Sequence, residues 1–194
     1  WRVNNLENTK TKRLSTKSMV LCAMFTALVA VGAFIQIPVP YMDYFTLQFF
    51  FVLLAGLILG ADKGAISVGC YVLLGLVGVP IFAAGGGIGY IFRPSFGYLV
   101  GFIVSAYVTG KVCEKLKASY KNYLLACLAG FVVTYAIGIV YKFIILNFYA
   151  HTPATIAVIF LSCFPLDMPG DFVLCLLASG VGLKMRKNGF CLNE

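Results

Sequence analysis

Two stretches of the chain carry residue types that can bind a ligand. The first, FAAGGGIGYIFRPSFGYLVGF from Phe82 to Phe102, sets Gly85, Gly86 and Gly87 beside Tyr90, Arg93, Phe96 and Tyr98. GGGIGY lacks the Lys-Ser/Thr of a phosphate loop, and no GxGxxG can be read from Gly85 through Phe92, so nucleotide binding is excluded. What remains is backbone that can approach a ligand closely because glycine has no side chain. A turn needing positive φ angles is the plainer alternative. The arginine and three aromatics in the same segment favour a binding loop.

The second stretch is FPLDMPGDF, Phe164 to Phe172. Proline suits the first turn of a helix, so Pro169 marks a start, and Asp171 falls where the positive end of the helix dipole favours a carboxylate. An ionised group there accepts hydrogen bonds from ligand N–H groups; the alternative is a charge that only stabilises its own helix. Asp167 has the weaker case, as a cap or a loop residue. Two carboxylates four residues apart could serve as acid and base, but no nucleophile or metal-ligand cluster accompanies them. His151 is the single histidine, expected at the surface of a loop, and there is no HExxH or DDxxD. We therefore expect no catalytic residue, no metal and no cofactor.

The elements that position these residues must be membrane helices. Of 194 residues 61% are hydrophobic and 11% charged, with a mean hydropathy of +0.94, more apolar surface than a water-soluble domain can hide. A bilayer core of ~30 Å takes roughly 20 apolar residues per helix, which leaves room for about six spans. The expected spans are 18–37, 47–60, 65–79, 97–110, 123–148 and Pro169–Leu183, an all-α six-helix bundle over 18–185. A basic N-terminal segment, 1–17, precedes it and a tail, 186–194, follows. A basic start before the apolar stretch Met19–Ile37 also outlines a signal peptide, but the stretch is long for one and further spans follow, so a retained first helix is expected.

The net charge of +8 is topology rather than a nucleic-acid footprint. Lysines and arginines gather before Lys17, at Lys63, from Lys111 to Lys121 and from Lys184 to Lys187, beside every second boundary between apolar runs. That is the positive-inside pattern, and it puts both termini in the cytoplasm. Arg93 is then the one cation of the outer loops, and Lys142 the one cation well inside an apolar run. Lys142 is costly there unless it snorkels to the interface or is paired in a pocket, and both readings stay open.

Seven cysteines, with no CxxC pair and mostly within apolar runs, read as packing residues. Ala23 and Ala27 lie one helical turn apart in AMFTALVA with Ala30 nearby, a spacing that lets a second helix approach, either within the bundle or from a partner.

Taken in order, these segments resemble the BioY family, the biotin-binding S components of energy-coupling-factor (ECF) vitamin transporters. The resemblance lies in FTLQ (Phe45–Gln48), LLAGLILGADKGAISV (Leu53–Val68), YVLLGLVGVPIFAAGGGIGY (Tyr71–Tyr90), PSFGYLVGF (Pro94–Phe102) and MPGD (Met168–Asp171), and covers about 35–185. It implies an S-component fold of six transmembrane helices in a bacterial cell membrane. It implies biotin captured near the outer face without catalysis, and energy supplied by a transmembrane coupling subunit with two ATPase subunits.

Carried over by residue, the resemblance implies that Asp171 accepts from the ureido ring of biotin while Gly85, Gly86, Gly87 and Tyr90 shape the cavity. Gln48 and Tyr98 match motif positions, Tyr135 and Tyr141 are expected on an apolar wall, and Ala23 and Ala27 on the surface that docks the coupling subunit. Leu174 stands where many relatives have a lysine. The biotin carboxylate needs a cation, for which electrostatics favours Arg93, with Lys142 as its rival. An S component for another small vitamin and an intramembrane lipid-modifying enzyme are the alternatives.

Overall fold

The structure, a computed structural model, describes residues 15–38, 44–150, 154–163 and 167–189. Most of the basic N-terminal segment, His151 and the last residues of the tail lie outside that range.

Ser15 caps the first helix, its hydroxyl accepting from the Ser18 amide at 3.2 Å, and α1 runs from Thr16 to Phe34. The chain then forms a small antiparallel hairpin, β1 (Gln36–Pro38) and β2 (Tyr44–Thr46), with Ile37 paired to Phe45. Helix α2 covers Gln48–Leu59 and α3 Ala61–Leu76. Between them Gly60 alone turns the chain, at φ +85°, and α3 starts directly after it. The amide of Ala61, left without a helical partner, donates to Glu114 Oε1 at 3.0 Å.

A short 3-10 turn, Ile88–Phe92, leads to α4 (Phe96–Lys115), and α5 (Tyr120–Ile144) returns alongside it and ends in one π-helical turn, Ile145–Tyr149. The apolar stretch after it is a separate short helix, α6 (Ile156–Cys163), before α7 (Asp167–Lys187).

The protein is all-helical apart from the hairpin, with seven α-helices among the described residues. Four of its helical segments are long and apolar enough to cross a bilayer: Thr16–Phe34, Phe96–Lys115, Tyr120–Tyr149 and Asp167–Lys187. The expected spans 47–60 and 65–79 correspond to α2 and α3, which are shorter than these four. At ~1.5 Å per residue the 12 residues of α2 reach only about 18 Å. Its place explains the length: Val52 through Leu59 are all buried, so α2 is wrapped by the other helices and need not match the thickness of the lipid.

The outer surface is the apolar one. Val132 and Val140 of α5, Leu73 of α3 and Leu177 of α7 point outward, while Ser67, Ser105, Thr109, Thr134 and Ser179 are buried. This inversion suits a bundle whose solvent is lipid and whose helices meet through small residues. One such seam is explicit: Thr26 on α1 donates to the Ser67 carbonyl on α3 at 2.9 Å, and Ser67 Oγ donates to the Cys22 carbonyl at 2.7 Å. Of five described free cysteines four are buried, as expected of packing residues, and Cys70 is exposed.

The start of α1, the α2–α3 turn, the α4–α5 turn and the end of α7 share one end of the bundle. Arg186 there donates to the Tyr123 hydroxyl at 3.1 Å, and Lys17, Lys63, Lys111, Lys115, Lys184 and Lys187 are carried on the same helix ends. The other end is formed by the start of α2, the glycine loop, the start of α4, the end of α5 and the start of α7.

Candidate functional site

A cavity of about 110 Å3 lies at the end opposite the cluster of lysines on the helix ends. Phe49 from α2 and Leu99 and Phe102 from α4, all buried, give it an apolar wall, with the Phe49 and Phe102 rings stacked at 5.9 Å. Phe45 and Thr46 enter from β2, Gln48 from the first turn of α2, and Ala83 and Tyr90 from the glycine loop. The opposite side belongs to α5 and α7. Tyr135 and Lys142 are seven residues apart and hence on one face of α5, and Asp167 and Asp171 are one turn apart on α7.

Asp171 and Gln48 are held by neighbours in the cavity wall and behind it. Tyr135 Oη donates to Asp171 Oδ2 at 2.8 Å, and its ring is fixed by Phe131 at 4.7 Å and, edge to face, by Tyr98 at 5.8 Å. Gln48 Nε2 donates to the hydroxyl of Tyr71 at 2.5 Å, while Gln48 Oε1 accepts from Thr46 at 3.2 Å. Ser95 is another lining residue, and its buried hydroxyl has no partner among the described residues. The set offers acceptors, one amide, hydroxyls and an ammonium around aromatic walls. Such a cavity can orient a small ligand that carries both N–H donors and a negative charge. Among the described residues no three His, Cys, Asp or Glu gather as metal ligands.

A protein-family model described as the BioY family matches residues 7–189. The chain belongs to the BioY family. A probable biotin transporter BioY of Lysinibacillus sphaericus is 39% identical over 177 residues, covering 91% of this chain and 90% of that one. The biotin transporter BioY of Thermotoga maritima is 43% identical over 136 residues, 70% of this chain and 77% of that one. The fold is similar to the crystal structure of the S-component for biotin from an ECF-type ABC transporter, with a TM-score of 0.78 at 24% identity, over 90% of this chain and 95% of that one.

In this BioY-family chain the cavity gathers Gln48, Tyr90, Tyr98, Tyr135, Lys142 and Asp171 from the residues that the sequence singles out. Arg93 is not among the lining residues: it is exposed, with its guanidinium 5.3 Å from the centre of the Tyr90 ring. Gly85, Gly86, Gly87 and Tyr141 also stand behind the wall. Gly85 and Gly87 take φ +110° and +102°, Gly87 N–H donates to the Gly75 carbonyl at 2.7 Å, and a Cβ on Gly86 would strike the Val79 carbonyl oxygen. They shape the loop that presents Ala83 and Tyr90. Tyr141 donates to the Ile91 carbonyl at 2.6 Å and ties the 3-10 turn to α5.

The lining also holds residues to which the sequence gave no role. Thr46 and Ser95 sit inside stretches quoted for the resemblance, but single hydroxyls give no periodic signal. Asp167, weighed as a cap or loop residue, does open α7 and faces the cavity too. Leu174 is buried in the core and lines no part of the cavity. Ala23 and Ala27 are both exposed on the face of α1 opposite Cys22, Phe25 and Val29.

Proposed function

We propose that this protein is the substrate-binding membrane subunit of a biotin uptake system, capturing biotin in the cavity beside Asp171. The observation that carries the reading is the juxtaposition in one small cavity of an oriented carboxylate, Asp171, and an ammonium, Lys142, across aromatic and aliphatic walls. Biotin has matching ends. Its ureido N–H groups donate to Asp171, the bicycle and tail fill the apolar part, and its carboxylate pairs with Lys142. Arg93 then helps to attract the anion at the entrance rather than hold it. Gln48, Tyr90, Tyr98 and Tyr135 complete the contacts, and the glycine loop with Tyr141 holds the wall in place.

The lysine-rich end faces the cytoplasm with both termini, and the cavity faces outward from the cell membrane. Six crossings follow if α2 and α3 traverse as short helices shielded by their neighbours. Family membership supports an energising partner: a transmembrane coupling subunit, docked on the Ala23 and Ala27 face of α1, with two ATPase subunits. No catalytic residue, metal or cofactor is assigned.

Thermal unfolding of the purified protein against a panel of vitamins tests the reading. Biotin at 100 times its Kd raises stability by about 2.7 kcal/mol, a shift in midpoint that thiamine and riboflavin do not produce. A shift with one of those instead of biotin assigns the cavity to another vitamin, and no shift with any of them removes the proposal.

A further inference from the structure

The orientation of Gln48 is dictated from behind the cavity. Gln48 is 3% exposed; Tyr71 on α3, which lies behind it, is 0% exposed and lines no part of the cavity. The Tyr71 ring meets Phe82 edge to face at 5.5 Å, and its hydroxyl donates to the Ile81 carbonyl oxygen at 3.1 Å. A phenol has one proton to give. With that proton committed to Ile81, only lone pairs face Gln48, and the amide must turn its nitrogen to Tyr71 and its oxygen to Thr46. The flipped amide would set two oxygens together with no proton between them and leave a buried acceptor unsatisfied. What Gln48 has left for the cavity is its second N–H and the second lone pair of Oε1.

We infer that Tyr71 is a positioning residue that locks the Gln48 amide in one orientation and so fixes where the cavity wall donates and where it accepts. The inference rests on reading the cavity as the biotin site. A locked amide suits a ligand that carries a donor and an acceptor side by side, as a cyclic urea does, and disfavours one with two acceptors there. A merely structural Tyr71 would act through Ile81 on the glycine loop, and the two roles separate in a double-mutant cycle.

The cycle compares biotin Kd for the wild type, Y71F, Q48L and the double variant, with the thermal midpoint of each unliganded protein. Y71F keeps the ring against Phe82 and should weaken biotin about tenfold, the size of one hydrogen bond, while lowering the midpoint by a few degrees, since the Ile81 carbonyl loses its donor. In the Q48L background it should cost nothing more. The same cost in both backgrounds, unaltered affinity of Y71F, or a Y71F that no longer folds each overturns the inference. A second readout needs no ligand. The sequence has two glutamines, Gln36 and Gln48, so the Gln48 side-chain amide is identified in 15N NMR by its loss in Q48L. Its two protons should be well separated and slow to exchange in the wild type, and should move together and exchange faster in Y71F. An identical pair of signals in both proteins sinks the role of Tyr71, whether or not biotin binds. Failure of the wild type to bind biotin sinks the reading of the cavity and leaves the NMR result to decide on Tyr71.

Discussion

Tyr135 on α5 and Asp171 on α7 meet at the cavity wall, hydroxyl to carboxylate oxygen at 2.8 Å. The bond uses Oδ2 and turns the carboxylate so that its other oxygen remains for a ligand. Asp171→Asn removes the charge and replaces an acceptor with a donor. It should weaken biotin by roughly 1.5 to 3 kcal/mol, the range for a hydrogen bond to a charged group, in isothermal titration calorimetry on detergent-solubilised protein. Tyr135→Phe leaves the carboxylate in place but unfixed and should cost less than Asp171→Asn. Wild-type affinity in the asparagine variant would take Asp171 out of the site.

The two cations make opposite predictions. Lys142 lines the cavity and Arg93 lies outside on the Tyr90 ring, so Lys142→Ala should harm biotin more than the uncharged biotin amide, while Arg93→Ala should harm both little. A charge-assisted bond in a partly buried site is worth about 1.5 to 3 kcal/mol, enough for at least a tenfold difference between the two ligands. Competition binding with both ligands on each variant decides it. A larger selective loss from Arg93→Ala would return the carboxylate to Arg93.

The bundle was legible because lipid imposes long apolar runs and the lysines punctuate them. Helix α2 escaped the length rule, since protein rather than lipid surrounds Val52 to Leu59, and that shielding is invisible before folding. The place of Asp171 at the cavity was legible for a different reason: it stands two residues after Pro169, in the first turns of an apolar helix. The places of Arg93 and Lys142 relative to the cavity were not. Sequence position says which loop or helix carries a cation, but the two turns of α5 from Tyr135 to Lys142 had to wind before both faced one cavity. Tyr71 gave no signal, because a buried tyrosine in an apolar run is ordinary until its hydroxyl partners are known.

The glycine loop should tolerate side chains unevenly. An added Cβ at Gly86 would strike the Val79 carbonyl oxygen, a backbone atom that cannot swing aside, whereas at Gly89 it would meet nothing within 4 Å. Gly86→Ala should therefore shift the segment that presents Ala83 and Tyr90 and weaken biotin by about 1 to 3 kcal/mol, the cost of overpacking. Gly89→Ala should bind within about twofold of the wild type, since surface changes stay within ±0.5 kcal/mol. Equal affinities for the two variants would mean that the loop is not part of the binding wall.

The last prediction separates capture from delivery. Ala23 and Ala27 leave a stripe of small side chains on the exposed face of α1, and neither lines the cavity. If that stripe receives a helix of the coupling subunit, a larger side chain fills the space the partner needs without altering the lining of the cavity. Ala27→Leu should keep the wild-type Kd in detergent and abolish biotin uptake by cells carrying the full transporter. Val132→Leu, an equally exposed change on α5, serves as the control and should leave uptake intact. Uptake retained in Ala27→Leu with normal expression would place the partner elsewhere. A weakened Kd in Ala27→Leu would show instead that α1 packing reaches the cavity, most directly through the Thr26 and Ser67 seam with α3, the helix that carries Tyr71.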